Sequence, residues 1–407
     1  MPSDLPPHRL YYGVRRRLAL SGDRVGRWCD EQSVAVYRWR SKRLREAAQA
    51  ALLGAGSLAH VLKLMPRLDA AVLRGNQWNA VWVGDTALSA ELEHLLFPAG
   101  ASTQRLGRVA AWNLPRFVSS QLAAVDLVVC ALPRAWPPVW RPRGPAVFSC
   151  PVFVNLTLDI QLPLDSLLRG RSRRGLRNGY NRSRREGYRW RVTTEERDLE
   201  RFHRDMYLPH VTRRHGPRAI VTTMEDYRRN WTARGGSLLL LEQDGHAVAG
   251  LSVRIEGSAC VLGEEGILGT VEAAGYSQST QVGLKCAAIE FAQSRGLTRL
   301  VMGRSLARLA DPVLANKLRW GAAVCPSGRS LHPEWTFVMS RAGCPLSEHL
   351  NRQGLLTFFD NQPCVVTLGS PAEELRRAAE TIGRILIAEP GHQNRIESIR
   401  PTRDSRR

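Results

Sequence analysis

The stretch from Ser237 to Gly321 restricts the fold more than any other part of this chain, because it alternates short apolar runs with turn residues. The leucine-rich run Ser237–Gln243 is followed by Asp244-Gly245, a pair that favours a tight hairpin turn since both residues accept a positive φ. Two further apolar runs follow, Ala247–Ile255 and Ala259–Gly263, separated by a short polar turn. The pattern predicts three consecutive strands.

A helix, a fourth strand and a second helix are predicted after these strands. Apolar residues recur at helical spacing from Val282 to Ala292, as in a helix that lies on a sheet. Thr298–Met302 is a short apolar run and predicts a strand parallel to an earlier one. Asp311 before Pro312 predicts the start of a short helix, because aspartate caps helices and proline is favoured at the first position. This order predicts an α/β fold with a mixed sheet.

The most basic part of the chain is Pro163–Gly187, where arginines greatly outnumber acidic residues. Its glycines and its own charge repulsion weaken it as a free helix, and an anionic partner would remove that repulsion. The alternative is a solvated helix face. The aromatic residues among the arginines suit stacking on a base or sugar, although such residues at a strand start are as often core; they are Tyr180, Tyr188 and Trp190.

Charge and hydropathy restrict the partners and the location. The chain has 407 residues and a formal net charge of +21, which favours nucleic acid, anionic lipid headgroups or a phosphate-bearing substrate. The alternative is a basic solvated surface without a partner. Met1–Leu20 lacks the apolar centre of a signal peptide, and no stretch approaches the roughly 18 apolar residues that span a bilayer. We expect a cytoplasmic protein, and its positive charge is compatible with peripheral contact with an anionic membrane.

Cysteine and histidine positions give no metal-binding pattern. The 8 cysteines form no C-x-x-C pair, and no histidine accompanies them at zinc-ligand spacing. His203, His210 and His215 fall in one short stretch, which is typical of acid–base work or of structural histidines bonded to the backbone. No matching set of carboxylates or thiols accompanies them. We expect reduced core thiols and no metal.

Several short motifs, taken in order, resemble the GNAT acyltransferase superfamily, and more closely its FemAB-like and BioF2-like (CelD-like) branch. They cover 151–321, less than half of the chain. The residues that carry the resemblance are the Arg-rich helix Leu167–Gly187, Tyr207-Leu208-Pro209-His210 with His215-Gly216, the Asp244-Gly245 hairpin, the helix before Gly296, Gly303-Arg304-Ser305, and Asp311 with Lys317, Trp320 and Gly321. The fold so implied is a GNAT-like mixed β-sheet flanked by helices, which a degenerate GNAT-like half-domain can precede.

The resemblance implies an N-acyltransferase. Such an enzyme moves an acyl group from acyl-CoA or aminoacyl-tRNA to an amine, here of an amino sugar, an amino acid or a cell-envelope precursor. The amine attacks directly, while the enzyme positions both partners, accepts a proton and offers a donor to the developing oxyanion. No covalent enzyme intermediate is required, which agrees with the absence of a G-x-S-x-G motif.

The resemblance also implies site residues. The catalytic candidates are His210, Glu264 and Glu265, the two glutamates because they end a central strand. The candidates for binding the substrate or donor are Tyr207, Arg214, His215, Tyr276, Ser279, Thr280, Gly303, Ser305, Asp311 and Lys317. The candidates for contact with phosphate or another anion are Arg173, Arg174, Arg177 and Arg184. Lys317 matches the branch's Lys-x-x-Trp-Gly motif, and Asp311 could equally be only a helix cap.

The start of the central helix departs from the pattern of ordinary acetyltransferases. Their coenzyme A pyrophosphate rests on a Gln/Arg-x-x-Gly-x-Gly/Ala loop, whereas residues 276–283 read Tyr-Ser-Gln-Ser-Thr-Gln-Val-Gly. A helix start with Ser279, Thr280 and free N–H groups can still hold a phosphate, or the two residues are plain caps. The departure fits the FemAB-like branch better.

The expected division of the chain is an N-terminal helical segment (1–77), an α/β half-domain (78–150), the transferase domain (151–345), a strand–helix extension (346–390) with its helix at Pro371–Ile387, and a disordered basic tail (391–407). The expected partners are an amine acceptor, tRNA or an anionic membrane, but not DNA. Two alternatives to an enzyme stay open: a basic RNA- or tRNA-binding protein, and a non-catalytic GNAT-like scaffold in envelope polysaccharide assembly.

Overall fold

The computed structural model describes residues 68–84, 89–110, 113–133, 145–170, 173–216, 221–228, 235–273, 275, 277–326, 333–339, 344–389 and 394–399. Its strands are β1 Leu68–Arg74, β2 Asn79–Gly84, β3 Ser102–Val109, β4 Leu127–Pro133, β5 Ala146–Pro151, β6 Phe153–Asp159, β7 Arg189–Thr193, β8 Ser237–Gln243, β9 His246–Glu256, β10 Ala259–Ile267, β11 Arg299–Leu306, β12 Ala323–Cys325, β13 Pro333–Met339, β14 Leu356–Phe359, β15 Gln362–Leu368, β16 Arg384–Ala388 and β17 Arg395–Ser398.

The helices follow the same chain order. They are α1 Ser89–Leu96, α2 Leu114–Gln121, α3 Leu164–Leu167, α4 Arg174–Arg185, α5 Glu196–Arg201, the π-helix Phe202–Tyr207, α6 Leu208–His215, α7 Gly269–Ala273, α8 Ser277–Ser294, α9 Pro312–Arg319, α10 Pro345–Gln353 and α11 Glu373–Ala379. No helix among the described residues is long and apolar enough to cross a membrane.

The largest sheet contains the stretch that the sequence singles out. Its strand order is β12-β6-β11-β10-β9-β8-β7, with β7 to β10 antiparallel and β11 parallel to β10. The predicted hairpin joins β8 to β9, with positive φ at Asp244 (51°) and Gly245 (77°). The predicted long helix is α8, and Asp311 caps α9. The prediction of a mixed sheet flanked by helices is therefore confirmed.

The parallel pair β10–β11 separates after a short ladder. Only Ala259–Val261 pair with Arg299–Val301, although β10 continues to Ile267 and β11 to Leu306. Each strand has a register shift at this point, between Leu262 and Glu265 in β10 and between Val301 and Arg304 in β11. Bulges of this kind turn strands apart and are common beside active sites. We call the gap between residues 262–267 and 302–306 the wedge.

Helices cover both faces of this sheet, and β8 is therefore buried on both sides. Leu239 and Leu241 pack in the cluster that holds α8, while Leu238 and Leu240 pack against the π-helix. Continuous burial of this kind explains why β8 reads as an unbroken leucine run rather than an alternating one. The helix α4 lies on α8, where Gly179 and Gly283 allow close approach.

A second sheet has the order β3-β1-β2-β4-β13-β5. Its strand β13 comes from far along the chain and pairs with β4 on one side and β5 on the other. The strand β1 lies inside the segment predicted to be helical, and that part of the prediction is wrong because residues 68–74 pair with both β2 and β3. Residues 1–67 lie outside the described ranges. The division into domains, including a degenerate half-domain, stays a prediction.

A third sheet, β14-β15-β16-β17, forms the C-terminal part. The predicted helix Pro371–Ile387 is wrong in its second half: α11 ends at Ala379, and β16 pairs in parallel with β15. Gly383 has a φ of 83°, and the run Ile385–Ile387 is buried, as in a parallel strand. The expected disordered tail likewise contains β17, which pairs with β16.

Candidate active site

A buried ion pair lies at the wedge. Lys285 of α8 donates from Nζ to Oε2 of Glu265 on β10, at 2.7 Å. Burial alone would raise the pKa of Glu265, but Lys285, with His210 and Arg214, holds that pKa below its ordinary value. The predicted catalytic Glu265 is thus brought to the wedge, but as an ionised carboxylate tied to a lysine. Such a group is a poor proton acceptor and a good electrostatic anchor.

Lys317 enters the same region from α9. Its half-buried ammonium donates to the carbonyl oxygen of Arg304 at 2.8 Å. A Cβ at Gly303 would lie 3.9 Å from Nζ, in a backbone with a φ of 75° that favours glycine. Burial, and then the neighbouring Lys285, lower the pKa of Lys317 to about 8, although the carboxylates of Asp311 and Glu265 act to raise it. The structure therefore gathers Lys317 and the Glu265–Lys285 pair into one electrostatic cluster.

The helix α6 adds two further predicted residues. His210 and Arg214 are one turn apart, His210 is buried, and both act on the pKa of Glu265. The helix is fixed by the π-helix before it, whose backbone packs on β10 at Gly266, next to Glu265. Single π-helical turns of this kind often lie at functional sites. The structure therefore brings His210, Arg214, Glu265 and Lys317 together.

Replacing Gly266 by alanine tests this packing. An added Cβ would lie 2.5 Å from the backbone nitrogen of Tyr207 and 2.7 Å from the carbonyl carbon of Met206, neither of which is a flexible side-chain end. We expect the variant to lose about 1–3 kcal/mol of unfolding free energy, measured by urea denaturation. The matched control is Gly175→Ala, where the added Cβ meets nothing within 4 Å and where, as at Gly266, the backbone φ is not positive. The control should lose no stability, because alanine is favoured over glycine in a helix. Equal losses in the two variants would contradict the packing argument.

Other predicted residues have mainly structural contacts. Glu264 accepts hydrogen bonds from Thr222 Oγ1 (3.2 Å) and Ser252 Oγ (2.8 Å). The Tyr207 hydroxyl accepts from the Thr222 backbone N–H at 2.9 Å, and burial raises its pKa. Asp311 accepts from the backbone N–H groups of the first turn of α9, at 3.2 and 3.3 Å. These contacts fix the elements that carry the cluster.

The first turn of α8 is already engaged by other side chains. Ser279 donates to Oε2 of Glu186 at 2.8 Å, and the hydroxyl of Thr280 lies 3.2 Å from that of Tyr188. Both Ser279 and Thr280 are almost wholly buried. Glu186 also accepts from Arg182, so a carboxylate stands beside the positive end of the helix. A phosphate there would meet a negative charge and occupied hydroxyls.

The remaining predicted residues divide into three groups. Ser305 is buried on β11, and its Oγ has no hydrogen-bond partner among the described residues. Arg173 donates to the carbonyl of Leu167 and lies against Gly321, so its contacts are structural. Arg174, Arg177 and Arg184 are exposed on α4. Tyr276 and the side chain of His215 lie outside what the structure describes.

The aromatic residues of the basic segment point inward. Tyr180 and Trp190 both donate to Glu290 of α8, at 3.1 and 2.7 Å. Burial, and then Glu290, raise the pKa of Tyr180 to about 12. Tyr180 and Trp190 are therefore part of the protein core, and the prediction that they stack on a base or a sugar is wrong.

Sequence reasoning missed Lys285 and Glu186. Lys285 could have been noticed as a single lysine inside the apolar run Val282–Ala292, where a cation requires a buried partner. The sequence shows Glu186 only as an acidic residue among the arginines of the basic segment Pro163–Gly187, without indicating its partner. Within the described ranges, no group of three or more histidine, cysteine or acidic residues is placed to hold a metal ion.

No protein-family model matches the chain, and no curated protein matches its sequence. Solved structures align with most of it. One is the C-terminal DUF2156 domain of a protein described as a lysylphosphatidylglycerol synthetase, from Agrobacterium fabrum (11% identity, 78% of this chain and 92% of that one, TM-score 0.36). FemX aligns at 11% identity over 70% of this chain and 91% of its own, with a TM-score of 0.36. A tandem GNAT protein from the clavulanic acid biosynthesis pathway aligns at 12% identity over 79% of this chain and 95% of its own, with a TM-score of 0.27.

At such identities and TM-scores the similarity concerns chain architecture, and it transfers no activity, substrate or partner to this chain.

Proposed function

We propose that this protein is an N-acyltransferase whose donor carbonyl group enters the wedge. The observation that supports this most is the convergence of Lys317, the Glu265–Lys285 pair and His210 where two parallel strands separate. Four different elements supply these groups: β10, α6, α8 and α9. A charged cluster of this kind at the end of a sheet suits the stabilisation of charge that develops during acyl transfer.

In the proposed reaction the acceptor amine attacks the donor carbonyl carbon. A C–N bond forms, and the C–S bond of a thioester or the C–O bond of an aminoacyl ester breaks. The ammonium of Lys317 stabilises the oxyanion, and the Glu265–Lys285 pair maintains the electrostatic field around that ammonium. His210 takes the proton that the amine loses and returns it to the leaving thiolate or alkoxide.

The first turn of α8 favours one of the two donors. Ser279 donates to Glu186, and the hydroxyl of Thr280 contacts that of Tyr188. The hydroxyl groups at the usual binding position of a coenzyme A pyrophosphate are therefore already bonded to other protein groups. This supports an aminoacyl ester of RNA over acyl-CoA. The acceptor is proposed to be the amine of an amino sugar, an amino acid or an envelope precursor, in the cytoplasm.

The test is a thermal-shift screen of the purified protein with acetyl-CoA, longer acyl-CoAs and mixed aminoacyl-tRNA, followed by mass spectrometry of products formed from candidate amines. A donor that binds the wedge should raise the melting temperature by mass action. Stabilisation by none of these donors, together with no product from any amine, would contradict the proposal.

The pH dependence of transfer tests the role given to Lys317. Its pKa is lowered to about 8, so the ammonium is largely present at pH 7 and largely lost a pH unit or more above 8. Since the cation is the form that holds the oxyanion, kcat should fall as the pH rises through about 8. In Lys317→Arg the guanidinium stays charged, and residual activity should show no such fall. A kcat that rises through pH 8 would make the neutral amine a base and contradict the oxyanion role.

A second candidate function is RNA binding without transfer, which the exposed arginines of α4 favour. It would be supported if salt-dependent RNA binding were retained in Lys317→Met and His210→Gln while no donor gave a product.

A further inference from the structure

Lysine is rare in this chain, and the lysines that the structure describes lie together. Among the 58 lysine and arginine residues, the lysines are only Lys42, Lys63, Lys285 and Lys317. The first two lie outside the described residues, whereas Lys285 and Lys317 both interact with Glu265 at the wedge. Elsewhere in the described ranges every residue of these two types is an arginine. The wedge therefore carries amines where the rest of the described chain carries guanidinium groups.

The two kinds of cation differ in their chemistry. The guanidinium group of arginine stays charged in proteins, while the amine of lysine loses its proton when it is desolvated or lies beside a second cation. The neutral amine is a nucleophile that attacks carbonyl carbon. A site that needs only a fixed positive charge is served equally well by arginine. Two lysines in one cluster therefore indicate chemistry of the amine itself.

The surroundings of the two lysines assign them different parts. Lys285 is only 9% exposed, and its Nζ is held by the carboxylate of Glu265 at 2.7 Å. Lys317 is half-buried, and its printed hydrogen-bond acceptor is a neutral carbonyl, that of Arg304. Burial, and then the cation of Lys285, bring the pKa of Lys317 to about 8 against the pull of Asp311 and Glu265. About half of the Lys317 side chains are therefore neutral amines at pH 8.

The position of Lys317 gives this amine access to an electrophile. Its Nζ lies beside Gly303, on the part of β11 that turns away from β10, and a side chain at that glycine would come within 3.9 Å of it. A carbonyl group whose oxygen approaches the ammonium of Lys317 also brings its carbon close to the same nitrogen. Loss of one proton then converts a stabilising contact into an attacking one. The other charged groups around Lys317 are Lys285 of α8, Glu265 of β10 with His210 and Arg214 of α6 behind it, and Asp311 of α9 itself.

We propose that Lys317 is a site of covalent acylation by activated carboxyl compounds that enter the wedge while no acceptor amine is bound. The neutral Nζ attacks the carbonyl carbon and a C–N bond forms. The C–S bond of a thioester or the C–O bond of an ester breaks, and the proton of Nζ passes to the leaving thiolate or alkoxide. The product is an uncharged amide that no longer holds an oxyanion, so the acylated protein is inactive. The source of the acyl group rests on the proposed function, but the reactivity of the amine does not.

The experiment is competitive labelling of the full chain with trace acetic anhydride, folded or unfolded in guanidinium chloride, with mass spectrometry of the peptides. An ordinary lysine has a pKa near 10.4, so about 0.4% of it is neutral at pH 8. Lys317 should therefore react about 10- to 100-fold faster in the folded chain than in the unfolded one at pH 8. Its rate should level off above pH 8, while the rate in the unfolded chain continues to rise. Lys285 should react more slowly in the folded chain, and an equal or slower rate for folded Lys317 would overturn the inference.

The variant Lys285→Met tests the pairing of the two lysines. Without the neighbouring cation, the labelling rate of Lys317 at pH 8 should fall several-fold. The matched control is Arg319→Met, which removes one positive charge from an exposed position on the same helix as Lys317. Its labelling rate should stay within about twofold of the wild type, and circular dichroism checks that both variants are folded. An unchanged rate in Lys285→Met would overturn the inference, because the paired lysines carry it.

A last measurement separates this inference from the proposed function. The donor found in the thermal-shift screen, added without an acceptor, should attach one acyl group to Lys317 and stop transfer, and Lys317→Arg should stay unmodified. Rapid labelling of Lys317 by the anhydride with no transfer to any amine would overturn the proposed function alone. Transfer to an amine with slow labelling of Lys317, or with no acyl group added by the donor, would overturn this inference alone.

Discussion

Replacing Lys317 by methionine is expected to lower kcat about 100- to 1000-fold, because one preorganised donor to an oxyanion has this effect. The ammonium is held at the carbonyl of Arg304, beside a glycine that leaves room for it. Methionine retains the packing of the aliphatic part but carries no charge. Steady-state kinetics with the donor identified by the thermal-shift screen measures the change, and KM should change far less than kcat.

The matched control for this variant is Arg319→Met, on the same helix but exposed. It makes the same change of charge without removing a group from the wedge, so its kcat should stay within about threefold of the wild type. The melting temperature of Lys317→Met should remain close to that of the wild type, since a half-buried cation costs desolvation. A small loss of kcat with a large rise of KM would instead make Lys317 a residue of substrate binding.

Local sequence signals were sufficient to predict the elements around the wedge. The turn Asp244-Gly245 requires positive φ, α8 has a long apolar face, and Asp311-Pro312 starts α9, so each prediction depends on residues close in sequence. The family resemblance offered His210, Arg214, Glu265 and Lys317 as separate candidates; the structure places them near one another, and their roles stay a prediction. What could not be predicted was the role of each group, because it depends on partners distant in the chain.

The missed features are all long-range. Lys285 neutralises a carboxylate 20 residues earlier, and Glu186 engages a serine 93 residues later. The strand β13 pairs with β4 and β5 across most of the chain, which no local pattern specifies. The segment 384–388 has an apolar run short enough for either a helix or a strand, and the parallel pairing with β15 decides between them.

Replacing Lys285 by methionine is expected to lower the free energy of unfolding by about 3 kcal/mol. Removing one partner of a buried pair leaves a poorly compensated charge. The lower end of the usual range applies because the Glu265 side chain is 22% exposed and because His210 and Arg214 still act on it. Urea denaturation at pH 7 measures the loss. The loss should shrink at acidic pH, since protonation of Glu265 removes the unpaired charge.

The double variant Lys285→Met with Glu265→Leu separates stability from activity. Replacing both partners of a buried pair by apolar residues is often neutral or stabilising, so most of the lost stability should return. Transfer should nevertheless stay at least about 100-fold below the wild type, because the field around Lys317 has been removed. Full activity in the double variant would show that the pair only supports the fold, and unchanged stability in Lys285→Met would show that the pair does not form.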